Sequence, residues 1–244
     1  MNKRNEHINW CRVALFVLCW LFMSTSMTYA QLRKVMNRPY IDQRQFHYGF
    51  YVGTHVQDLE FQNNGFVGEN GDQWFADVPN YDPGVSVGIL GEYNLHPHIA
   101  LRVLPSIHFG EKQIMYKNML NGSHELQSMK STYIAAPINL KFTAERFNNY
   151  RPFVVAGVNP MFDLTSKKQR NLKLKQYDMQ LEVGFGCDFY LPFFKLIPEI
   201  KFGYGLLNMV DKNRTDLTDD SKLIFTKSVD NARSRMIIFS LYFE

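Results

Sequence analysis

The chain carries a serine and a histidine at a spacing that could support hydrolysis. Ser106 and His108 are two residues apart, and an extended backbone places such residues on one face of a strand. His47 and His55 share the polar face of another predicted strand. A serine becomes a nucleophile when a base lies within hydrogen-bond reach. We predict that these side chains point into the interior of the protein. Catalysis is therefore an alternative here, and the sequence predicts no catalytic residue.

Charged residues recur on the same polar strand faces: Glu92, Arg102, Lys141, Glu182, Asp188, Glu199 and Lys201. These four acids and three bases nearly neutralise one another, and an unpaired charge in a confined interior is costly. The set therefore indicates a structural charge network that fills a narrow lumen. A proton or ion path is the alternative interpretation.

Two predicted loops carry charge of one sign. Loop 165–176 is basic and contains Lys167, Lys168, Arg170, Lys173 and Lys175. Loop 57–83 is acidic and contains Asp58, Glu60, Glu69, Asp72, Asp77 and Asp82. The basic loop is a candidate site for lipopolysaccharide phosphates or an acidic partner, and the acidic loop for calcium. The simpler alternative is that both are solvated loops that attract each other.

The segment before the first predicted strand is a further candidate for partner binding. Its basic residues are Arg33, Lys34, Arg38 and Arg44, and an ordered plug strand is the alternative. His96 and His98 flank Pro97 in a predicted tight turn, and neither cysteine nor an acidic cluster accompanies them. The sequence therefore predicts no metal site and no cofactor.

An alternation of apolar and polar residues predicts the elements that position these side chains. A period of two indicates a strand, and eight segments show it. They run over about 46–56, 84–95, 99–109, 132–142, 152–164, 181–189, 198–206 and 237–243. The connections are alternately long and short, with 111–126 as a long one that has possible hairpin arms. This pattern predicts an all-β fold, an eight-stranded antiparallel up-and-down transmembrane β-barrel with short periplasmic turns and long external loops.

Glycines indicate which strand face points inward. Gly49, Gly53, Gly88, Gly184, Gly186, Gly203 and Gly205 all fall on the polar face, where small residues leave room for large neighbours in a narrow barrel. Aromatic residues cluster near the predicted short turns, as expected of an interfacial girdle. A soluble lipocalin-like barrel, with its apolar face inside, is the alternative. Strand five is apolar on both faces, so its orientation stays open.

The N-terminal region has the pattern of an export signal. Lys3, Arg4 and Arg12 precede the apolar run at 13–23, and Ala30 offers a cleavage site. We predict a cleaved signal peptide at 1–30, a periplasmic lead-in at 31–45 and the barrel at 46–244. Without the signal, 24 basic and 22 acidic residues remain, a balance that argues against nucleic acid as a partner. Cys187 would then be the single cysteine, so no internal disulfide is expected.

Five stretches resemble the PorT family of outer-membrane barrels. They are 38–55 (RPYIDQRQFHYGFYVGTH), 133–142 (YIAAPINLKF), 151–157 (RPFVVAG), 182–190 (EVGFGCDFY) and 198–205 (PEIKFGYG). The second and third are shared by many small outer-membrane barrels, whereas the first is more specific.

The resemblance implies a location in the outer membrane of a Gram-negative bacterium. It also implies a non-enzymatic component or assembly factor of the type IX secretion system, needed for export and maturation of secreted proteases. Expected partners are outer-membrane lipid, lipopolysaccharide and other secretion-system proteins. A lipid-modifying barrel enzyme and a small channel or structural barrel are the alternatives.

Overall fold

The computed structural model describes residues 36–67, 71, 73–79, 81–120, 122–165, 173–211 and 228–244. Over these residues a short 3₁₀ helix, Ile41–Gln43, precedes a series of strands. The strands are β1 (Phe46–Asn63), β2 (Trp74–Asp77), β3 (Pro83–His96), β4 (Ile99–Val103), β5 (Ser106–Asn118), β6 (His124–Ala135), β7 (Ile138–Thr143), β8 (Tyr150–Asp163), β9 (Tyr177–Tyr190), β10 (Lys195–Gly205) and β11 (Val229–Phe243). The predicted signal peptide lies outside the described residues. None of the described helices is long and apolar enough to cross a membrane.

The strands close into an antiparallel ring. β1 pairs with β3 on one side and with β11 on the other, and β8, β9, β10 and β11 pair in sequence. β4 and β5 are two parts of one predicted strand, as are β6 and β7, so eight strands form the wall. β2 is an additional short strand on the outer end of β5. The prediction of an all-β, up-and-down barrel is confirmed.

Prolines cause the two interruptions in the wall. Pro105 separates β4 from β5, and Pro137 separates β6 from β7, because proline has no N–H group for the ladder. Their carbonyl groups still bridge to the neighbouring strands: Ile89 N donates to Pro105 O at 2.9 Å, and Leu104 N donates to Pro137 O at 3.0 Å. The wall is therefore continuous across both breaks.

Several strands extend beyond their predicted ends. The predicted long connection at 111–126 has the hairpin arms that were left open for it, because β5 and β6 pair from Ser106 and Ala135 to Lys117 and His124. β1 and β11 remain paired from Phe50 and Phe243 to Asn63 and Val229. Acidic residues at alternate positions on the outer face of β1 made this extension resemble a polar loop.

The structure settles the orientation of strand five, which is β8. Phe153 and Val155 are buried inside the barrel, whereas Val154 and Val158 are exposed on the outer wall. The interior is filled by large side chains next to glycines. A Cβ atom at Gly88 would lie 2.5 Å from Tyr51 Cε1, and one at Gly186 would lie 2.5 Å from Phe153 Cζ. The glycines thus allow rings to cross the narrow lumen.

Candidate functional site: a filled lumen with two closed ends

Arg102 is at the centre of the charge network in the lumen. Its side chain is 0% exposed and lies between two carboxylates. Nη2 donates to Glu92 Oε2 at 2.8 Å, and Nη1 donates to Glu199 Oε2 at 2.5 Å. The guanidinium carbon also lies 5.2 Å from the ring centroid of Phe153 and 5.3 Å from that of Tyr242. Such close pairing offsets the cost of burying the charge.

The other predicted lumen charges lie on either side of Arg102. Lys141 donates to Asp188 Oδ2 at 2.9 Å and also contacts Glu92 at 3.4 Å. Lys201 donates to Glu182 Oε2 at 3.1 Å. The structure brings all seven predicted residues into paired, buried positions on the inner face of the wall.

Two charges that the sequence did not predict, Lys195 and Glu244, extend this network. Lys195 and Glu244 form an ion pair at the end of the lumen where the short turns lie, hereafter the turn end. Glu244 also accepts a hydrogen bond from His47 Nδ1 at 2.5 Å. Burial alone would raise the pKa of Glu244, but His47 and Lys195 together lower it from 4.5 to about 2. Lys195 is in phase with Glu199 along β10, and this period of two is the signal that could have identified it.

The serine and histidine residues form a hydrogen-bonded chain inside the barrel. His55 Nδ1 and His108 Nδ1 each lie 2.7 Å from Ser86 Oγ, and Ser106 Oγ lies 3.3 Å from His108 Nε2. All four side chains are buried. A nucleophile must contact its substrate, and these groups contact the interior instead. The arrangement supports packing of the lumen and does not favour catalysis.

The lead-in closes the turn end. Arg146 donates to the carbonyl groups of Asn37 and Arg38 and, at 3.1 Å, to Asp42. The same guanidinium lies 3.6 Å from the ring centroid of Tyr190, whose hydroxyl donates to Asp42 at 2.6 Å. We call residues 37–45 the turn-end cap.

The candidate partner-binding residues of the lead-in differ in whether they contact the barrel or are exposed. Arg38 donates to the Glu244 carbonyl at 3.1 Å, so its guanidinium holds the cap in place. The side chain of Arg44 is exposed to solvent. Arg33 and Lys34 lie outside the described residues. Among the basic residues described in the lead-in, Arg44 is thus the one whose side chain is exposed.

An apolar cluster closes the opposite end, hereafter the loop end. Its buried members come from the extended strand ends and from the loops: Leu59, Ala76, Val78, Ile114, Tyr116, Met129, Leu174, Met209, Val210, Val229 and Ala232. A backbone bridge joins Leu174 to Val210 across two loops. The cluster is not among the sequence-based predictions because its members fall outside the predicted strands.

Residues of the basic loop 165–176 and the acidic loop 57–83 form ion pairs with other residues of the loop end. Lys173 forms a 3.1 Å ion pair with Asp211, and Lys175 is exposed. Glu60 pairs with Arg235 of β11 at 2.5 Å. Lys167, Lys168, Arg170, Glu69 and Asp72 lie outside the described residues. No group of three or more potential metal ligands occurs within the part of the chain that the structure describes.

The outer face of the barrel wall is apolar, as expected of a membrane protein. Large apolar side chains on the outer face are exposed all round the ring, including Phe50, Ile89, Phe109, Val154, Phe185 and Phe239. A closed ring satisfies the backbone hydrogen bonds of its strands, which is the condition for a sheet in lipid. An apolar outer face and a charged, filled interior together define a β-barrel of the outer-membrane class.

Comparison with known proteins agrees with this class. The chain belongs to the family described as outer membrane protein beta-barrel domain, which it matches over residues 29–211. Membership of this family places the protein in the outer membrane. No curated protein sequence matches the chain.

Several solved structures are similar to this chain. The crystal structure of the outer membrane protein OprG from Pseudomonas aeruginosa is 14% identical, with a TM-score of 0.42, over 81% of this chain and 92% of that one. Neisserial surface protein A is 13% identical, with a TM-score of 0.40, over 82% and 98%. Ail, the attachment invasion locus protein of Yersinia pestis, is 10% identical, with a TM-score of 0.36, over 82% and 99%.

Proposed function

We propose that this protein is a non-enzymatic outer-membrane component or assembly factor of the type IX secretion system, needed for export and maturation of secreted proteases. The filled lumen is the observation that carries this proposal, because it leaves no path for secreted proteases through the barrel itself. Arg102, Lys141 and Lys201 occupy the interior with their carboxylate partners, and an eight-stranded barrel has little further space. The protein therefore acts through its two ends and its outer wall.

The turn-end cap supports a docking role in the periplasm. Short turns face the periplasm in outer-membrane barrels, so the cap and the exposed side chains of Tyr40 and Arg44 lie on that side. All of the cap except Asn37 falls within 38–55, the stretch with the most specific resemblance to the PorT family. A periplasmic partner of the secretion machinery would bind this basic and aromatic surface. Lipopolysaccharide is the proposed partner on the external side, and no nucleic acid is expected.

A deletion strain of the source bacterium, complemented with variants, tests this function. Deletion should leave unprocessed proteases inside the cell envelope, and the wild-type gene should restore mature proteases to the medium. An Arg44→Glu variant should lose at least about tenfold in secreted protease activity, because a docking surface would change sign there. Lys130→Glu, an exposed change on β6 near the loop end, is the matched control and should secrete normally.

The outcome is interpreted only for barrels that assemble. Heat-modifiable gel mobility of each variant in membrane extracts reports folding, since closed barrels resist detergent until heated. Normal secretion by the deletion strain would refute the proposed function. Normal secretion by Arg44→Glu alone would refute the docking surface.

A further inference from the structure

A groove of about 570 Å³ lies on the outer wall across β9, β10, β11 and β1. Four apolar residues in register form its lower row: Val183, Phe202, Ile237 and Val56. Phe202 and Ile237 are 46% and 51% exposed, so the floor of this lateral groove is open to the surroundings. The volume is within the range of small-molecule sites in proteins.

The next row toward the loop end includes polar and charged residues. Tyr204, Arg235 and Asp58 are in register there with the apolar Leu181. One step further, Arg233 donates to the Tyr204 hydroxyl at 3.1 Å, and Glu60 holds Arg235 at 2.5 Å. The boundary between the lipid-facing band and the polar surface therefore crosses the lateral groove.

A second cavity lies beyond the loop-end termini of β9 and β10. It measures about 500 Å³, and its lining combines the polar and charged residues Lys173, Lys175, Gln176, Asn208 and Asp211 with Leu174, Tyr177 and Leu207. An apolar groove below a cation-bearing cavity matches a ligand with an acyl chain at one end and an anionic, hydroxyl-rich headgroup at the other. Arg235 keeps donors beyond the one that binds Glu60, because a guanidinium has five.

We propose that the lateral groove binds one acyl chain of a phosphorylated glycolipid of the lipid A type, with its phosphate on Arg233 and Arg235. The two guanidinium groups are two residues apart on one strand face, roughly 7 Å along the strand, and guanidinium forks match phosphate oxygens. Long loops mark the external side, so the groove opens to the leaflet that contains this glycolipid. The inference rests on the lipopolysaccharide partner named in the proposed function and does not depend on the secretion role.

Native mass spectrometry of the full chain in detergent tests the proposal. Purified protein is titrated with lipid A and, separately, with phosphatidylethanolamine that carries the same acyl chains. We expect one lipid A to bind with an affinity at least about tenfold higher than phosphatidylethanolamine. Arg233→Gln with Arg235→Gln should remove that difference, and Ile237→Trp should abolish binding by filling the floor of the groove.

Matched changes elsewhere on the barrel are the controls. Ile107→Trp places the same side chain on the outer face of β5, and Lys117→Gln removes an exposed charge near the loop end. Both controls should bind lipid A like the wild type, and heat-modifiable mobility verifies that every variant is folded. Equal affinity for both lipids, or equal loss in the control variants, would overturn the proposal in favour of ordinary annular lipid.

Discussion

Buried charges in the lumen depend on one another at the level of single residues. Arg102 contacts two carboxylates, and one of these, Glu92, also contacts Lys141. Removing one partner of such a network leaves a buried charge without compensation, which costs far more than an exposed ion pair contributes. The network is thus strong when complete and fragile when one member is removed.

The first prediction concerns Arg102. Replacement by Met should destabilise the barrel by about 3–5 kcal/mol, because Glu92 and Glu199 lose their central partner while they stay buried. Unfolding in urea, after reconstitution in lipid vesicles, measures the effect. Adding Glu92→Gln and Glu199→Gln to the Arg102→Met variant should recover most of the loss. Lys117→Met, at an exposed position, should change stability little, and an equal effect at both sites would contradict the assignment.

The second prediction concerns pH and Glu244. The pKa of this carboxyl group is lowered from 4.5 to about 2, so its ion pairs stabilise the fold above pH 4.5 and this contribution disappears as the pH falls toward 2. Glu244→Gln should therefore be less stable than the wild type at neutral pH, by at most about 3 kcal/mol. The difference should vanish near pH 2.

Urea unfolding at several pH values checks this dependence. Glu145→Gln removes an exposed carboxylate in the turn between β7 and β8 and is the control. Its stability should follow that of the wild type at every pH. A constant difference between Glu244→Gln and the wild type down to pH 2 would exclude the ion pairs as the cause.

The alternation of apolar and polar residues is sufficient to place the seven predicted lumen charges on the inner faces of their strands. The alternation does not assign Lys195 and Glu244 to the lumen. Lys195 lies at the end of a predicted turn, and Glu244 follows the last apolar residue of β11. Whether such end residues face the lumen depends on how far pairing continues. That extent is set by contacts between strands and is not present in the local sequence.

At the scale of elements, the strands differ from prediction mainly in length. Alternation identifies the barrel part of the strands other than strand five, whose two apolar faces leave its orientation open, and the antiparallel order follows from the short connections. The extensions of β1, β5, β6 and β11 were missed because charged residues occupy their outer faces above the apolar band. Tertiary pairing at the loop end stabilises these polar segments as strands.

The third prediction compares two glycines on inner strand faces. A Cβ atom at Gly157 would collide with the backbone oxygen of Ile138, whereas one at Gly203 would meet only the flexible tip of Gln180, at 2.5 Å. Gly157→Ala should therefore destabilise the barrel by more than about 2 kcal/mol, and Gly203→Ala by less than about 1 kcal/mol. The fraction of heat-modifiable protein after refolding, together with urea unfolding, distinguishes them. Equal tolerance at both sites would show that β7 and β8 can separate to accept the methyl group.

At the scale of the whole molecule, the strands of the described residues close into a ring that is filled with its own side chains. The apolar cluster closes the loop end, and the cap closes the turn end. Sequence analysis predicted the filled interior from the balance of charge. It could not predict either closure, since both depend on contacts between segments that are distant in the chain.

The fourth prediction follows from this filled interior. Purified full-length protein in planar bilayers should show no discrete conductance steps in molar salt, because Arg102 and its partners occupy the centre of the lumen. A large porin reconstituted in the same way is the positive control. Steps that scale with salt concentration would show an open path and would support the small-channel alternative.

The cross-lumen ion pairs also affect how the barrel forms. Arg102 lies on β4 and Glu199 on β10, so they meet only when the sheet has curled fully and β11 has paired with β1. In a sheet that has not yet closed into a ring, these ions would lose water without gaining a partner, at a high cost in free energy. Ring closure and charge pairing are therefore one cooperative event, and the folding kinetics should be close to all-or-none. Cooperativity of this kind keeps the population of open sheets low, and with it the exposure of unpaired strand edges that lead to aggregation.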